Sequence, residues 1–361
     1  MPSLSLPPPA AAAPLTEGQA LGVWRLHRPL PDGEQAHAGQ WYSAVHSRAA
    51  EQRAAVLVLD RSDQGAGVML RYADQAGDLG QLQHPHIAVP CDSGVTPDAH
   101  PYLILEGHHG EPLLPRLHEF GLRKRIELLV QLCEALRSAH QQGWLLATMD
   151  PAMIWLDPEQ NIRLMGLGLT KIPDPTDPFD RGLSLGAAAA FTAPERQEGA
   201  PPSLASEVYG LGALARVLIC GWEDTPKGVA PLRGSVADQW PLLPEPQQLQ
   251  LDALMTGSMA LSPELRMRGA EQMADELRAW LAAAPRRGSA GKSSGKSSGT
   301  PSGGGQPPRK TTAWWKRWLS LGAAAGLGWA VLSAAPTDSD GFGTQAAITR
   351  TSAHAAAPHW G

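Results

Sequence analysis

The sequence predicts an α+β protein in which a β-rich N-terminal part is followed by a mainly helical part and by one C-terminal transmembrane helix. Three observations predict this class. Short runs of apolar β-formers recur over about the first hundred residues. Residues 125–140 and 270–283 carry apolar side chains at the spacing of one helix face. Residues 318–335 form an uncharged run of about 27 Å as a helix, which is just enough to cross a bilayer.

The composition excludes several classes of function. The chain has 361 residues, enough for one large or two ordinary domains, and a net charge of −5. With a pI near 6.2, this charge does not suggest a nucleic-acid-binding protein. The three cysteines, Cys91, Cys133 and Cys220, are widely spaced and form no Cys-x-x-Cys. We therefore expect a reducing compartment, no metal site and no nucleic-acid partner.

The N-terminal part is predicted to begin with an arm and three strands. Residues 1–17 are rich in Pro and Ala and lack the basic start and apolar core of a secretory signal, so a disordered arm is expected. The strands are predicted at residues 23–27, 40–46 and 54–59.

The loop between the first two strands is a weak candidate for binding phosphate. It contains Gly33 and Gly39, and glycines let the backbone approach a phosphate closely. However, the carboxylates of Asp32 and Glu34 would repel that phosphate. An ordinary hairpin loop explains the same residues.

The central stretch, residues 143–172, organises the rest of the chain. The helix predicted at residues 125–140 is followed by Gly143, a residue type that commonly terminates a helix. Two apolar runs, residues 152–156 and 162–167, then flank a Pro/Asn turn, which predicts a β-hairpin.

These features, taken in order, resemble a eukaryotic-like Ser/Thr protein kinase of the bacterial type. The matching motifs are Pro151-Ala152, Ile154, Gly168-Leu169-Thr170-Lys171, Ala193-Pro194-Glu195, Glu207-Val208-Tyr209-Gly210 and Leu261-Ser262-Pro263-Glu264-Leu265-Arg266. The resemblance implies a bilobal domain over residues 18–284, with a small lobe at 18–106, a hinge, and a large lobe at 111–284. It also aligns Leu79, Tyr102, Leu146 and Leu167 with a stack of apolar side chains that links the two lobes.

Nearly every residue that performs chemistry in this family is replaced. The degenerate positions are Leu57 for the phosphate-binding Lys, Gln75 for its Glu partner, Thr148 for the catalytic Asp, Asp150 for the loop Lys, Met153 for the metal-binding Asn and Gly166 for the metal-binding Asp. Phosphoryl transfer depends on positioning and on charge neutralisation by Mg²⁺. Met153 and Gly166 offer a metal no side-chain oxygen. The resemblance therefore implies a pseudokinase with no catalytic residue and no metal.

Nucleotide binding without Mg²⁺ stays open at this stage. The resemblance places the nucleotide in a cleft whose candidate residues are Gly33, Gly39, Trp41, Ala55 and Glu106. Trp41 stands where the family has a Val above the adenine, and its size would crowd or close the pocket. One alternative is a pseudokinase that senses ATP, and the other is a scaffold whose cleft binds nothing.

The structural residues of the family are retained, in contrast to the chemical ones. Arg266 stands where the family pairs an Arg with the carboxylate of the Ala-Pro-Glu motif, so we expect an ion pair between Glu195 and Arg266. Glu207 replaces an Asp that braces the catalytic loop, and its longer side chain is expected to reach the same loop.

The C-terminal residues predict a tethered domain. Residues 285–313 are rich in Gly, Ser, Pro, Lys and Arg and contain no acidic residue, which is typical of a flexible linker. The predicted transmembrane helix, residues 314–335, begins with two tryptophans. Its basic flank, Arg309, Lys310, Lys316 and Arg317, places the kinase-like domain in the cytoplasm. Gly322 and Gly326 form a Gly-x-x-x-Gly through which two copies could pack as a homodimer. Residues 336–361 are predicted to be a short disordered tail.

Two functions from different classes remain. The first is a catalytically inactive scaffold or allosteric binding module at the cell membrane, with a protein partner such as another kinase or a membrane signalling complex. The alternative is an active Ser/Thr protein kinase with relocated chemistry, for which Asp150, Asp157 and Asp174 are the nearest carboxylates. Thr176 and Ser184 are candidate phosphorylation sites in the loop that follows.

Overall fold

The computed structural model describes residues 15–30, 39–61, 63–107, 109–172, 189–225 and 228–283. Several predictions lie outside these ranges and stay predictions: most of the arm, Gly33, Asp174, Thr176, Ser184 and everything after Ala283, which includes the linker, the transmembrane helix and the tail. Within the described ranges, no helix has the length and apolarity needed to cross a membrane.

The N-terminal half is a six-stranded antiparallel sheet accompanied by one long helix. Its elements are β1 (Ala20–Leu21), β2 (Trp24–Pro29), β3 (Gly39–His46), β4 (Ala49–Leu59), α1 (Asp63–Leu79), β5 (Ile87–Ala88), β6 (Asp92–Val95) and β7 (Pro101–Glu106). The strand order is β1-β2-β3-β4-β7-β6, and β5 pairs with the other half of the molecule.

The three predicted strands correspond to β2, β3 and β4, but β4 begins five residues before its predicted start. Glu51, Gln52 and Arg53 are polar and exposed, so a strand prediction based on apolar residues does not include them. Arg53 nevertheless pairs with Val45 across the sheet. Backbone pairing therefore extends the strand beyond the part that its side chains reveal.

From Ala54 to Leu59, strand β4 is buried on both faces, and its successive side chains point to opposite sides of the sheet. Ala55, Leu57 and Leu59 face the large C-terminal half. Val56 and Val58 face an outer-face cluster that also contains Trp24, Tyr42, Tyr102 and Ile104. This double burial explains why the strand reads as a continuous apolar run.

The C-terminal half is mainly helical. Its elements are β8 (Glu111–Pro112), α2 (Leu113–Arg116), α3 (Leu122–Gln141), β9 (Trp144–Leu146), β10 (Ile154–Leu156), β11 (Ile162–Met165), β12 (Leu169–Lys171), α4 (Pro194–Gln197), α5 (Leu204–Cys220), β13 (Trp222–Thr225), β14 (Gly228–Pro231), α6 (Val236–Gln239), α7 (Glu245–Ser258) and α8 (Ala270–Ala283). Helices α3, α5, α7 and α8 contribute most of its core. A capping box between Ser203 and Ser206 begins the buried helix α5.

The predicted hairpin is β10 paired with β11, with Ile154 opposite Leu164. Both strands are shorter than predicted because a 3₁₀ turn adjoins each of them, Pro151–Met153 before β10 and Gly166–Gly168 after β11. The Asp150 Oδ1 atom accepts a hydrogen bond of 2.9 Å from the Ala152 N–H and caps the first turn.

All four residues that align with the stack are buried core residues, but Tyr102 does not lie between the lobes. In β7, alternation places Leu103 and Leu105 on the face toward the C-terminal half. Tyr102 lies on the opposite face, in the outer-face cluster. Leu79 and Leu146 share the main core, whereas Leu167 lies in a separate cluster beneath the sheet.

The ion pair between Glu195 and Arg266 is present and bidentate. Arg266 Nη1 lies 2.6 Å from Glu195 Oε1, and Nη2 lies 2.8 Å from Oε2. The Arg266 side chain is fully buried, and its other hydrogen bonds go to the carbonyls of Ala260, Ala205 and Leu261. One guanidinium thus joins α4, the start of α5 and the segment that precedes α8.

Replacement of Arg266 by Ala should lower the free energy of unfolding by about 3 kcal/mol, because it leaves the Glu195 carboxylate without its cation. Urea denaturation measures this loss. Arg268→Ala is the matched control, because Arg268 is exposed two residues away, and it should change stability by less than about 0.5 kcal/mol. Equal losses in the two variants would contradict a structural role for the pair.

The same pair should make stability depend on acid pH. Burial on its own raises the pKa of the Glu195 carboxyl, but the hydrogen bonds and charge of Arg266 outweigh burial and hold this pKa below its usual 4.5. A lowered folded-state pKa stabilises the fold above the unfolded value, and this contribution disappears as the pH falls through the folded value. Urea denaturation of the wild type and of Glu195→Gln at several pH values should therefore show their difference narrowing below pH 4.5.

Candidate functional site

The cleft that the resemblance assigns to a nucleotide lies between the sheet above and β10, β11 and the Gly166–Gly168 turn below. A continuous apolar cluster, here called the cleft cluster, fills it. Its members, each less than a tenth exposed, are Leu30, Trp41, Ala55, Leu57, Leu59, Ala88, Leu103, Leu105, Met153, Trp155, Met165 and Leu167. Side chains from both halves of the molecule thus pack directly against each other.

Two tryptophans form the centre of the cleft cluster. Trp41 extends into the cleft from β3, on the side of the sheet, and Trp155 extends into it from β10, on the opposite side. Their ring centroids are 5.0 Å apart in an edge-to-face arrangement. The indole N–H of Trp155 donates to the Ala152 carbonyl at 2.9 Å, which fixes its ring. The Trp41 Nε1 atom is buried and has no hydrogen-bond partner among the described residues. At this point the two indoles pack the sheet directly against β10.

Sequence reasoning singled out Trp41 but missed Trp155. The available signal was alternation along the strand after Met153, which places Met153 and Trp155 on the same side. Both side chains join the cleft cluster. A large aromatic residue in this strand could therefore have been assigned to the floor of the cleft.

Leu57 and Gln75 stand at the two positions where the family has a Lys–Glu ion pair, and here they lie in different surroundings. Leu57 is completely buried in the cleft cluster. Gln75 on α1 instead donates from Nε2 to the Thr170 hydroxyl at 3.3 Å. Its Oε1 atom is buried without a partner among the described residues. A neutral hydrogen bond thus ties α1 to β12 in place of an ion pair.

The position of the metal-binding Asp is closed to any side chain. A Cβ atom on Gly166 would lie 2.9 Å from the Ala88 carbonyl oxygen and 3.0 Å from Leu169 Cδ1. On Gly168, a Cβ atom would lie 2.7 Å from the Thr148 carbonyl oxygen. These glycines let the turn pack tightly against β5 and the loop. An Asp at position 166 would require the backbone to shift.

The carboxylates considered for relocated chemistry have local structural roles. Asp150 caps the 3₁₀ turn at Pro151, as described above. Asp157 accepts a 2.7 Å hydrogen bond from the Asn161 N–H and closes the turn of the hairpin. Thr148, at the position of the family's catalytic Asp, is buried.

Throughout the described ranges, no group of three or more His, Cys, Asp or Glu side chains is placed to hold a metal ion.

Glu207 makes the bracing contact that the resemblance implies. Its buried carboxylate accepts a 2.7 Å hydrogen bond from the Leu146 N–H, at the end of β9 and just before Thr148. The other oxygen lies 2.8 Å from His140 Nε2. The role of His140 was not predicted, because it depends on how α3 packs beside α5.

The cleft candidates have separate positions. Gly39 pairs with Leu59 in the sheet, Ala55 lies in the cleft cluster, and Glu106 is exposed at the end of β7. A cavity of about 420 Å³ remains beside the hinge, and Leu30, Ala55 and Trp155 of the cleft cluster contribute to its lining. Polar side chains that include Arg28, Arg53, His109, Glu111 and Arg116 contribute to its lining.

Comparisons with known proteins identify relatives of this chain. The Ser/Thr protein kinase PknA of Mycobacterium tuberculosis is 27% identical over 350 aligned residues, which cover 85% of this chain and 78% of the relative. PknB of Mycobacterium leprae is 28% identical over 223 residues, covering 58% of this chain and 35% of that kinase. A probable Ser/Thr protein kinase, CE0033 of Corynebacterium efficiens, is 26% identical over 227 residues, covering 57% of this chain and 34% of the relative. No family model matches the chain. The similarity to these Ser/Thr protein kinases confirms the predicted resemblance.

The two tryptophans should be energetically coupled. Trp155→Ala should cost about 3–5 kcal/mol, because it leaves a cavity in a closed core. In a double-mutant cycle with Trp41→Ala, the two losses should differ from additivity by about 0.5–1.5 kcal/mol, the usual value of an aromatic pair. Urea denaturation of the four proteins gives the coupling energy.

The control for this cycle pairs Trp41→Ala with Trp280→Ala. Trp280 is equally buried but lies in the main core rather than the cleft cluster. Its loss should therefore add to that of Trp41 within about 0.5 kcal/mol. Additive losses for Trp41 and Trp155 would contradict direct packing across the cleft.

Proposed function

Because the chain is related in sequence to the bacterial Ser/Thr protein kinases, we propose that it is a kinase-like protein without phosphotransferase activity. Its role is that of a signalling scaffold or allosteric binding module. The contact between Trp41 and Trp155 carries this proposal, because the resemblance places the adenine beneath position 41, where the two indoles now pack together.

The replaced residues support the proposal independently of the tryptophans. Leu57 supplies no charge to a phosphate, and Met153 and Gly166 supply no oxygen to Mg²⁺. Removal of a single group of this kind from an active site commonly costs orders of magnitude in rate. The replacements occur together and affect each part of the phosphoryl-transfer apparatus.

The retained contacts support a function for the folded domain itself. The pair of Glu195 and Arg266 and the brace from Glu207 are both intact. A domain that keeps these contacts while its cleft is filled with side chains acts through its surface. We assign it a protein partner, such as another kinase or a membrane signalling complex.

A membrane location is the second part of the proposal. It rests on the uncharged run at residues 318–335 and on the Trp and basic residues before it. The chain then crosses the cell membrane once, with the kinase-like domain in the cytoplasm, and Gly322 and Gly326 provide a surface for a homodimer.

An active Ser/Thr kinase is the alternative, and the names of the relatives favour it. It requires ATP and a metal ion to enter the cleft, with a new carboxylate as ligand or base. Asp150 is the nearest candidate, but one of its oxygens already caps the turn at Pro151.

A thermal-shift titration of the full-length protein in detergent tests the proposal. With millimolar ATP, alone and with Mg²⁺ or Mn²⁺, we expect no increase in Tm, because a ligand raises Tm only if it binds the folded state. ATP binding at about one hundred times its Kd would stabilise the fold by about 2.7 kcal/mol and would be detected.

The other outcomes distinguish the alternatives. An increase in Tm that requires a metal ion would overturn the proposal and favour the active kinase; a phosphotransfer assay of the wild type and Asp150→Asn would follow. A metal-independent increase would show that the cleft opens for ATP, which would replace the closed scaffold with a nucleotide-sensing module.

A further inference from the structure

A second concave surface lies at the far end of the C-terminal half. It is a groove of about 710 Å³ between the start of α3, the connection from α6 to α7, and the end of α8. Apolar side chains form most of its walls, chiefly Leu122, Trp240, Pro241, Leu242, Leu243 and Trp280. Leu242 is 85% exposed at its edge, the largest exposure among the exposed large apolar residues described. Such a surface gains stability when another apolar group covers it.

Gln247 also lines the groove, and it donates from Nε2 to the Ala283 carbonyl at 3.2 Å. This hydrogen bond connects the wall formed by α7 to the end of α8.

The chain itself passes this groove. The last turn of α8 forms one wall, where the Trp280 indole N–H donates to the Gln247 carbonyl at 3.1 Å. Arg123 from the opposite wall donates to the Leu281 carbonyl, also at 3.1 Å. Ala283 is the last residue of α8, and its carbonyl accepts the hydrogen bond from Gln247 at the edge of the groove. Residues 284–361 therefore start at the edge of the groove.

The first large apolar side chains after Ala283 are Trp314 and Trp315. Only Ala and Pro provide apolar carbon surface in the residues before them. An indole is a large apolar ring, which suits the mainly apolar lining of the groove. A chain of about 30 Gly- and Ser-rich residues spans about 30 Å on average, so these tryptophans can return to the groove. The tether also raises their local concentration to about the millimolar range.

We propose that Trp314 and Trp315 dock into the groove of their own chain. Docking closes residues 284–313 into a loop. It does not require an inactive cleft. It removes the two tryptophans from the bilayer border, so a membrane crossing would then rest on the uncharged run at residues 318–335 and on the basic residues before it.

Cross-linking in the full-length protein tests the docking. The background is Cys91→Ser, since Cys91 is the exposed native thiol while Cys133 and Cys220 are buried. One new thiol is Gln239→Cys, an exposed position in the groove wall. The second is Ala313→Cys, beside the tryptophans, or Ser298→Cys as the matched control.

With a short bismaleimide, the Ala313 pair should cross-link within one chain at least fivefold faster than the Ser298 pair. Ser298 is nearer to Ala283 along the chain, so a linker that does not dock would favour it or give equal rates. Equal rates, or a faster Ser298 pair, would overturn the proposal. Cross-links between two chains would overturn it as well, because the occupant would then be a second copy.

Two further changes assign the contact. Trp314→Ala with Trp315→Ala leaves the described domain unaltered and should reduce the Ala313 rate to that of Ser298. Leu242→Asp should do the same, whereas Leu261→Asp should not, because Leu261 is 81% exposed but lies outside the groove. An unchanged Ala313 rate in the tryptophan variant would overturn the assignment. The Tm of each variant reports whether its fold is intact.

Discussion

The packing of Trp41 against Trp155 determines which residues the rest of the cleft can contain. Once two indoles meet across it, the neighbouring positions lie in an apolar interior rather than beside a ligand. A Lys at position 57 would place an unpaired charge there, because position 75 is the neutral Gln75 and position 166 is Gly166. The packed tryptophans and the uncharged residues around them are therefore physically compatible with each other.

Two carboxylates of the C-terminal half have complete sets of partners. Glu195, which is partly buried, has both terminal guanidinium nitrogens of Arg266, and the buried Glu207 has a backbone N–H and a histidine ring. Removal of either anion would leave buried donors without that acceptor. These groups support the architecture of the C-terminal half, whereas the cleft cluster contains no charged side chain that needs a partner.

The sequence was informative where a local pattern decides the outcome. Helix α8 was predicted at its observed bounds from apolar spacing, and the partner of Arg266 followed from the matching motifs. Local patterns failed where distant segments meet. The contact of Trp155 with Trp41 and that of His140 with Glu207 cannot be derived without the packing of strands and helices far apart in the chain, although alternation indicates the side on which Trp155 lies. Tyr102 shows the same limit, because only the sheet decides which face of β7 is directed toward the C-terminal half.

The closed cleft also limits how the protein could signal. In a bilobal fold, opening the cleft separates the N-terminal sheet from the C-terminal half and exposes the side chains between them. Here it would expose Trp41 and Trp155, at a cost of about 4 kcal/mol for each indole at about 25 cal/mol per Å². Such an open state would be populated in far fewer than about one molecule in a thousand. A partner that needed the open form would have to supply this free energy, whereas a partner that binds the outer surface would not. Rigid surface recognition is therefore the mode of binding that this interior favours.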